Sequence, residues 1–238
     1  MRLAVISDIH SNLHALQAVL DDINRRKVEQ IVCAGDLVGY GAYPNQVIEL
    51  LREREVPCVL GNYDDGVANY RISCGCDYPD EKAQRLGEAS LLWTKEHTAP
   101  ANKDFLRQLP MEWHAEIGGE RLLVVHGSPR RLNEYLFQDL SLEVWQEVLF
   151  GLETEVLVCG HTHLPYIRRF GSKIVINAGS VGKPKHGDPA AVYALLSWEP
   201  VFQVDFIKVA YDHEAAAQAI EKSGLPVEFA EKVRLGIG

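Results

Sequence analysis

The sequence has no apolar run approaching the ~18 residues that a membrane-spanning helix needs, and its 238 residues contain no linker, low-complexity tract or internal repeat. One domain over residues 1–238, long enough for a sizeable core, is the expectation. A signal-peptide layout is missing too: the opening MRLAVIS is short, strand-like and followed at once by Asp8, so the cytoplasm is the expected location. Positive charge is scarce, with 24 Lys+Arg against 33 Asp+Glu and a net charge of −9. That balance argues against broad binding to anionic membranes and against stable nucleic-acid binding, since both rely on basic surface. A small anionic substrate is not excluded, but it must find locally positive groups or a metal. Cysteine is sparse, at five residues. Cys33, Cys58 and Cys159 fall in strand-like runs, where a thiol acts as a small buried hydrophobe in a reducing compartment. Cys74 and Cys76 form a lone C-x-C with no second pair at zinc spacing, and read as loop residues rather than a zinc site.

What remains is an ordinary globular composition, 47% hydrophobic and 24% charged, with clear periodicity. RLAVIS reads as a buried strand, and LHALQAVLDDINRR places Leu13, Leu16, Leu20 and Ile23 at helical spacing. QIVCAG is a second strand, Pro44 opens a helix through NQVIELLRE, and PCVLG is expected as a third strand. This β-α-β-α-β order argues for parallel pairing. Residues 80–109 read as helices broken at Pro100. EWHAEI and ERLLVV form a hairpin across Gly118-Gly119, LSLEVWQEVLF is helical, and EVLVCG is a strand. A second hairpin, YIRRF to KIVIN, precedes the long strands AVYALLSW and VFQVDFIKVA. The tail from about Asp212 reads as one or two helices. The fold class expected from this order is α/β: a four-layer αββα sandwich of two mixed β-sheets flanked by helices.

In open α/β sheets, ligands bind beyond the carboxyl ends of the strands. Here those ends deliver Asp8-Ile9-His10, Gly35-Asp36, Gly61-Asn62, Val125-His126-Gly127 and Gly160-His161-Thr162-His163. Each alone has a plain reading, as a turn or a hydrogen-bonded histidine. Together, Asp8, His10, Asp36, Asn62, His126, His161 and His163 exceed what one four-coordinate ion takes up. If one carboxylate bridges, the seven provide four bonds to each of two ions, and His161 and His163 serve different metals.

The blocks DIH, GDLVGY, GNYD, VVHGSP and GHTH, in this order and at these intervals, resemble the five signature blocks of the calcineurin-like metallophosphoesterases. They closely resemble those of the small bacterial and archaeal phosphodiesterase branch, and the resemblance covers Met1 to about Leu196. The resemblance implies Asp8, His10 and His163 on a first metal, Asn62, His126 and His161 on a second, and Asp36 bridging. Nitrogen and oxygen ligands without thiolate suit manganese, iron or zinc. It further implies that a hydroxide held between two divalent ions hydrolyses a phosphodiester, or a phosphomonoester, of a small nucleotide-like substrate. Phosphodiester hydrolysis is the preferred expectation.

The candidate catalytic set is His126, Asn62, Tyr63 and Asp64. Many relatives carry a histidine where Tyr63 stands, oriented by the next aspartate to protonate the leaving oxygen. Tyrosine, with a reference pKa of about 10, is a weaker donor. Tyr63 is therefore expected to position substrate or line the pocket, and Asp64 to act behind the ligands. The loops GSPRR and GSVGKPKHG add Arg130, Lys183 and His186 as substrate-binding candidates, with Arg131 and Lys185 beside them. Two other readings stay open: a scaffold, as in the retromer subunit of this fold, and a DNA exonuclease, which the acidic balance and the lack of a basic, aromatic-interleaved stretch weaken. Oligomeric state is not legible.

Overall fold

The computed structural model describes residues 1–238. The chain runs β1 (Arg2–Ile6), α1 (Leu13–Arg25), β2 (Gln30–Cys33), α2 (Pro44–Glu53), α3 (Asn62–Ala68), α4 (Glu81–His97) and α5 (Pro100–Arg107). It continues β3 (Glu112–Ile117), β4 (Glu120–Val125), α6 (Leu142–Leu149), β5 (Val156–Cys159), β6 (Tyr166–Phe170), β7 (Lys173–Asn177), β8 (Ala191–Ser197), β9 (Gln203–Val209), α7 (His213–Ser223) and α8 (Glu228–Leu235). No helix is long and apolar enough to cross a membrane.

The strands form a four-stranded sheet, β2-β1-β8-β9, and a five-stranded sheet, β3-β4-β5-β7-β6. Both are mixed: β1 is parallel to β2 and antiparallel to β8, while β4-β5-β7 is parallel and flanked by the antiparallel β3 and β6. The period of two along β1 explains the layering. Leu3 and Val5 face the second sheet, packing with Val124, Val156, Val158 and Ile176 in the core between the sheets. Ala4 and Ile6 face the other way, onto Leu16, Val19 and Ile23 of α1. On the far side of the second sheet, Leu123, Leu157 and Val175 pack on Trp145 and Val148 of α6. Each fully buried aliphatic side chain contributes about 1.5–3 kcal/mol, and the αββα arrangement buries both faces of the central strands, while the edge strands β3 and β9 expose alternate residues.

Local chemistry sets the element ends. The Asn12 side chain accepts from the Ala15 N–H at the start of α1, and Pro44 occupies the first turn of α2, where a missing N–H costs nothing. One expectation fails. PCVLG makes only an isolated parallel bridge, Cys33 to Cys58. Pro57 has no N–H to give, so pairing is limited to Cys33 N to Pro57 O and Val59 N to Cys33 O, at 2.8 and 2.9 Å. The chain turns at Gly61 directly into α3, a helix the sequence pattern did not reveal. The tail does form two helices, and these pack together and against Tyr40, Leu86 and Trp93 through Ala217, Ile220, Phe229 and Val233.

Candidate metal centre

The five segments meet, four of them at the ends of strands and the fifth at the turn into α3. Asp8 and His10 follow β1, Asp36 follows β2, Asn62 opens α3, His126 follows β4, and His161 and His163 follow β5. All seven are buried, none more than 4% exposed. Asp8, His10, Asp36, His161 and His163 have φ between 49° and 66°, the left-handed region that costs a non-glycine residue about 1–3 kcal/mol. Backbone bonds from neighbouring loops hold them there: Asp8 N donates to Gly35 O at 3.0 Å, and Ile9 N and His10 N both donate to Asp36 O. The β1 and β2 loops are thus fixed as one unit.

Two groups of donor atoms result. In the first, His163 Nε2 lies 3.3 Å from His10 Nε2 and 3.3 Å from Asp8 Oδ1. In the second, His126 Nε2 lies 2.9 Å from Asn62 Oδ1 and 3.2 Å from His161 Nδ1. Asp36 Oδ2 stands between them, 3.6 Å from His10 Nε2 and 3.4 Å from His126 Nε2. Its other oxygen accepts from Tyr63 N at 2.8 Å, which fixes the carboxylate's rotation.

The outer contacts decide what these atoms offer. His10 Nδ1 donates to Val38 O, His163 Nδ1 to Lys183 O and His126 Nδ1 to Ala34 O, at 3.0, 2.6 and 2.8 Å. Each Nε2 is therefore left as a lone pair aimed inward, the arrangement usual for a metal-binding imidazole. His161 is reversed, with Nε2 on Asn133 O and Nδ1 inward. The Asn62 amide donates to Cys74 O and Cys76 Sγ, which turns its oxygen to the centre. Asp8 Oδ2 accepts from Ser7 Oγ and His161 N, whereas the buried Asp8 Oδ1 has no hydrogen-bond partner. Lone pairs facing lone pairs, with an orphaned carboxylate oxygen among them, repel one another unless a cation lies between. Two oxygens and two nitrogens per group suit a divalent ion, so the residues fit the pair of metals that the sequence blocks imply.

Titration favours the same forms at three of the four histidines, and His126 departs from this. Burial pushes His10 and His161 down to about 3 and His163 well below its usual range, so all three are neutral at pH 7. Burial raises Asp8 to about 6. For Asp36 burial is outweighed by His126, which holds the carboxyl below the usual range, and Asp36 in turn lifts His126 to about 9 against its own burial. A cation there would compete with that proton.

The other candidates divide. Asp64 accepts from Leu37 N, Val38 N and Gly61 N at 2.9, 3.2 and 3.0 Å, so both oxygens are spent stapling the Asp36 loop to the Asn62 turn. Tyr63 is buried; its hydroxyl donates to Gly87 O at 3.4 Å, and its ring meets His10 edge-on at 5.5 Å. Beside the centre lies a cavity of about 170 Å³, lined by His10, Asp36, Tyr63, His161, His163, Lys183 and Lys185. Arg130 and His186 are not brought to it. Arg130 is exposed and held by Glu134 and Glu147, with Nη1 3.2 Å from Glu147 Oε2. Arg131 is exposed, and His186 lies beside Lys208 and Asp188 instead. Three contributors were missed from the sequence: Cys76, through Asn62, and Phe229 and Lys232 of α8, which line the cavity. A C-x-C spacing and a helical tail carry no signal for those roles.

The sequence profile of the calcineurin-like phosphoesterase superfamily domain matches residues 1–200. An uncharacterized protein of Methanocaldococcus jannaschii is 36% identical over 98% of both chains. The phosphodiesterase YfcE of Escherichia coli is 29% identical over 82% of this chain and 87% of its own. Among solved structures, a metallophosphoesterase from Sphaerobacter thermophilus superposes with a TM-score of 0.81 at 29% identity, covering 100% of this chain and 99% of that one.

Proposed function

The chain belongs to the calcineurin-like phosphoesterase superfamily, and from that premise we propose that it is a two-metal hydrolase of a small anionic phosphoester, a nucleotide-like phosphodiester or phosphomonoester. The observation that carries this reading is the position of Asp36 Oδ2, 3.6 and 3.4 Å from histidine nitrogens of two separate donor groups. Asp8, His10 and His163 would hold one ion, Asn62, His126 and His161 the other, with Asp36 shared. When bound, such a pair supplies an activated water and neutralises charge on the phosphoryl group. Likeness to a phosphodiesterase of Escherichia coli supports diesters as the first class to assay.

The chain's own residues prepare the site. The carbonyls of Val38, Ala34 and Lys183 fix three imidazoles in one tautomer, and the Asp64 staple holds the two ligand turns at fixed separation. Lys183, buried at the cavity wall, would meet the phosphate's negative oxygens. No acid stands ready for the leaving oxygen: Tyr63 spends its proton on Gly87, and burial raises its pKa well above the tyrosine range. A solvent water then supplies the proton, and substrates with good leaving groups should react fastest.

The test is metal analysis of the purified protein with a panel of chromogenic diesters and monoesters after reconstitution with manganese, iron or zinc. Two ions per chain with turnover is the expected result. Two ions with no hydrolysis of any ester would point to the scaffold reading.

A further inference from the structure

The cavity beside the metal centre carries more positive charge than a diester needs. Lys183 and Lys185, from the loop between β7 and β8, and Lys232, from α8, all line it. None of the three makes an ion pair, whereas the lysines at 82 and 208 do. Lys183 is only 9% exposed, and its ammonium rests over the Tyr40 ring at 4.6 Å, a contact that attracts but does not neutralise. Phe229 packs on the same ring at 5.1 Å, which seats α8, and with it Lys232, against the cavity. The side-chain carboxylates on the wall are Asp36, turned to the histidines of the centre, and the exposed Asp77, and Gly238 lies on it beside the Lys185 stem.

Three lysine side chains sharing a small, half-buried wall with no ion-pair partner repel one another when charged. An anion lying among them removes that repulsion. At about 170 Å³ the cavity is smaller than the ~300–1,000 Å³ of pockets that enclose a drug-sized ligand, so it admits the phosphorylated end of a molecule rather than the whole. A diester brings a single negative charge, whereas one added phosphate group brings about 1.5 to 2 more.

Resting on the hydrolase reading above, we propose that Lys183, Lys185 and Lys232 form a second anion subsite, and that the substrate presents two neighbouring phosphate groups, one at the metal centre and one on the lysines. In the reaction, water adds its hydroxyl to the phosphorus at the centre, the ester P–O bond breaks, and the departing oxygen takes the remaining proton. The phosphate on the lysines is unchanged and leaves with its fragment. Lys232 lies outside the residues 1–200 that the superfamily profile matches, so this subsite is built partly by the tail of this chain.

Calorimetric titration of inorganic pyrophosphate and orthophosphate, on metal-free and on manganese-loaded protein, tests the subsite apart from turnover. Pyrophosphate should bind at least about tenfold more tightly than orthophosphate in both states, and Lys185→Met or Lys232→Met should each remove about tenfold of that preference. Lys232→Arg should keep it, and Lys208→Met, at an exposed ion pair, should not alter it. A ratio near one in the wild type, or a ratio that neither methionine variant changes, would overturn the proposal. Absence of ester turnover or of two bound ions bears instead on the hydrolase reading, and is measured separately on the same preparations.

Discussion

Asp36→Asn is nearly isosteric, yet the geometry leaves the asparagine no satisfactory orientation. Asp36 Oδ1 accepts from Tyr63 N at 2.8 Å, and Oδ2 faces His10 and His126 at 3.6 and 3.4 Å. If the new carbonyl keeps the Tyr63 bond, the NH₂ group stands between the two donor groups and cannot ligate. If it flips, the NH₂ meets the Tyr63 N–H donor to donor, a buried mismatch of about 1–3 kcal/mol. Either way both sites lose their shared charged ligand. Since altering groups that merely orient a ligand costs about 10–100-fold in metal affinity, losing the ligand itself should cost each site at least about 100-fold. His10→Ala, by contrast, empties only the group containing Asp8 and His163. Metal titration with elemental analysis should therefore fall from two ions per chain towards none in Asp36→Asn and to one in His10→Ala, with circular dichroism confirming that both remain folded. Two ions per chain at wild-type affinity in Asp36→Asn would refute the shared-ligand argument.

Other substitutions probe the surrounding support. A Cβ at Gly160 would lie 2.0 Å from Ser7 Oγ and 2.5 Å from Asp8 Oδ2, so Gly160→Ala should cost about 1–3 kcal/mol in denaturant melts; an unchanged midpoint would contradict the crowding. Cys76→Ala leaves the Asn62 amide one partner fewer, and should weaken only the group with His126 by about tenfold; equal weakening of both groups would exclude this role. Because Glu134 and Glu147 already hold Arg130, Arg130→Met should leave KM within about twofold while Lys183→Met raises it with kcat little altered; similar KM changes in both would reverse the assignment. Across esters of graded leaving-group pKa, Tyr63→Phe should keep the wild-type slope, and Tyr63→His should flatten it if Asp64 can turn to orient the ring; a slope that steepens in Tyr63→Phe would make Tyr63 the acid.

The readable part of this fold is the part governed by period and by strand ends. The continuous apolar run of β1 is visible in the sequence as a buried strand, and the structure splits it into Leu3 and Val5 on one face and Ala4 and Ile6 on the other, which places β1 between two layers. Five strand ends carrying ligand-type residues predict a shared edge, because parallel strands with helical connections bring their carboxyl ends together. What the pattern did not show depends on which partners the fold brings together. Arg130 follows His126 closely in the sequence, but Glu134, four residues on, and Glu147, on α6, both hold it. PCVLG has the composition of a strand, yet Pro57 and the turn at Gly61 leave it one bridge. The tail's apolar spacing announces helices without saying where they dock, and the Phe229 contact with Tyr40 is what carries Lys232 to the site.

The left-handed ligands tie these observations together. Five of the seven hold φ values that cost about 1–3 kcal/mol each, and one of the two groups they form sets imidazole lone pairs around the orphaned Asp8 Oδ1. Such an arrangement persists only because the surrounding structure over-determines it: the Asp64 staple, the carbonyls on the imidazoles, and glycines at 61 and 160, where any Cβ would strike Asp36 or Asp8. The apolar layers on both sides of each sheet therefore sustain a local conformation that the ligand loops would not adopt alone. Binding of an ion to the native state alone returns part of that cost, about 2.7 kcal/mol at a free concentration of 100 Kd. Strain and lone-pair repulsion are thus consequences of a single arrangement, held in place by the fold around the seven candidate ligands.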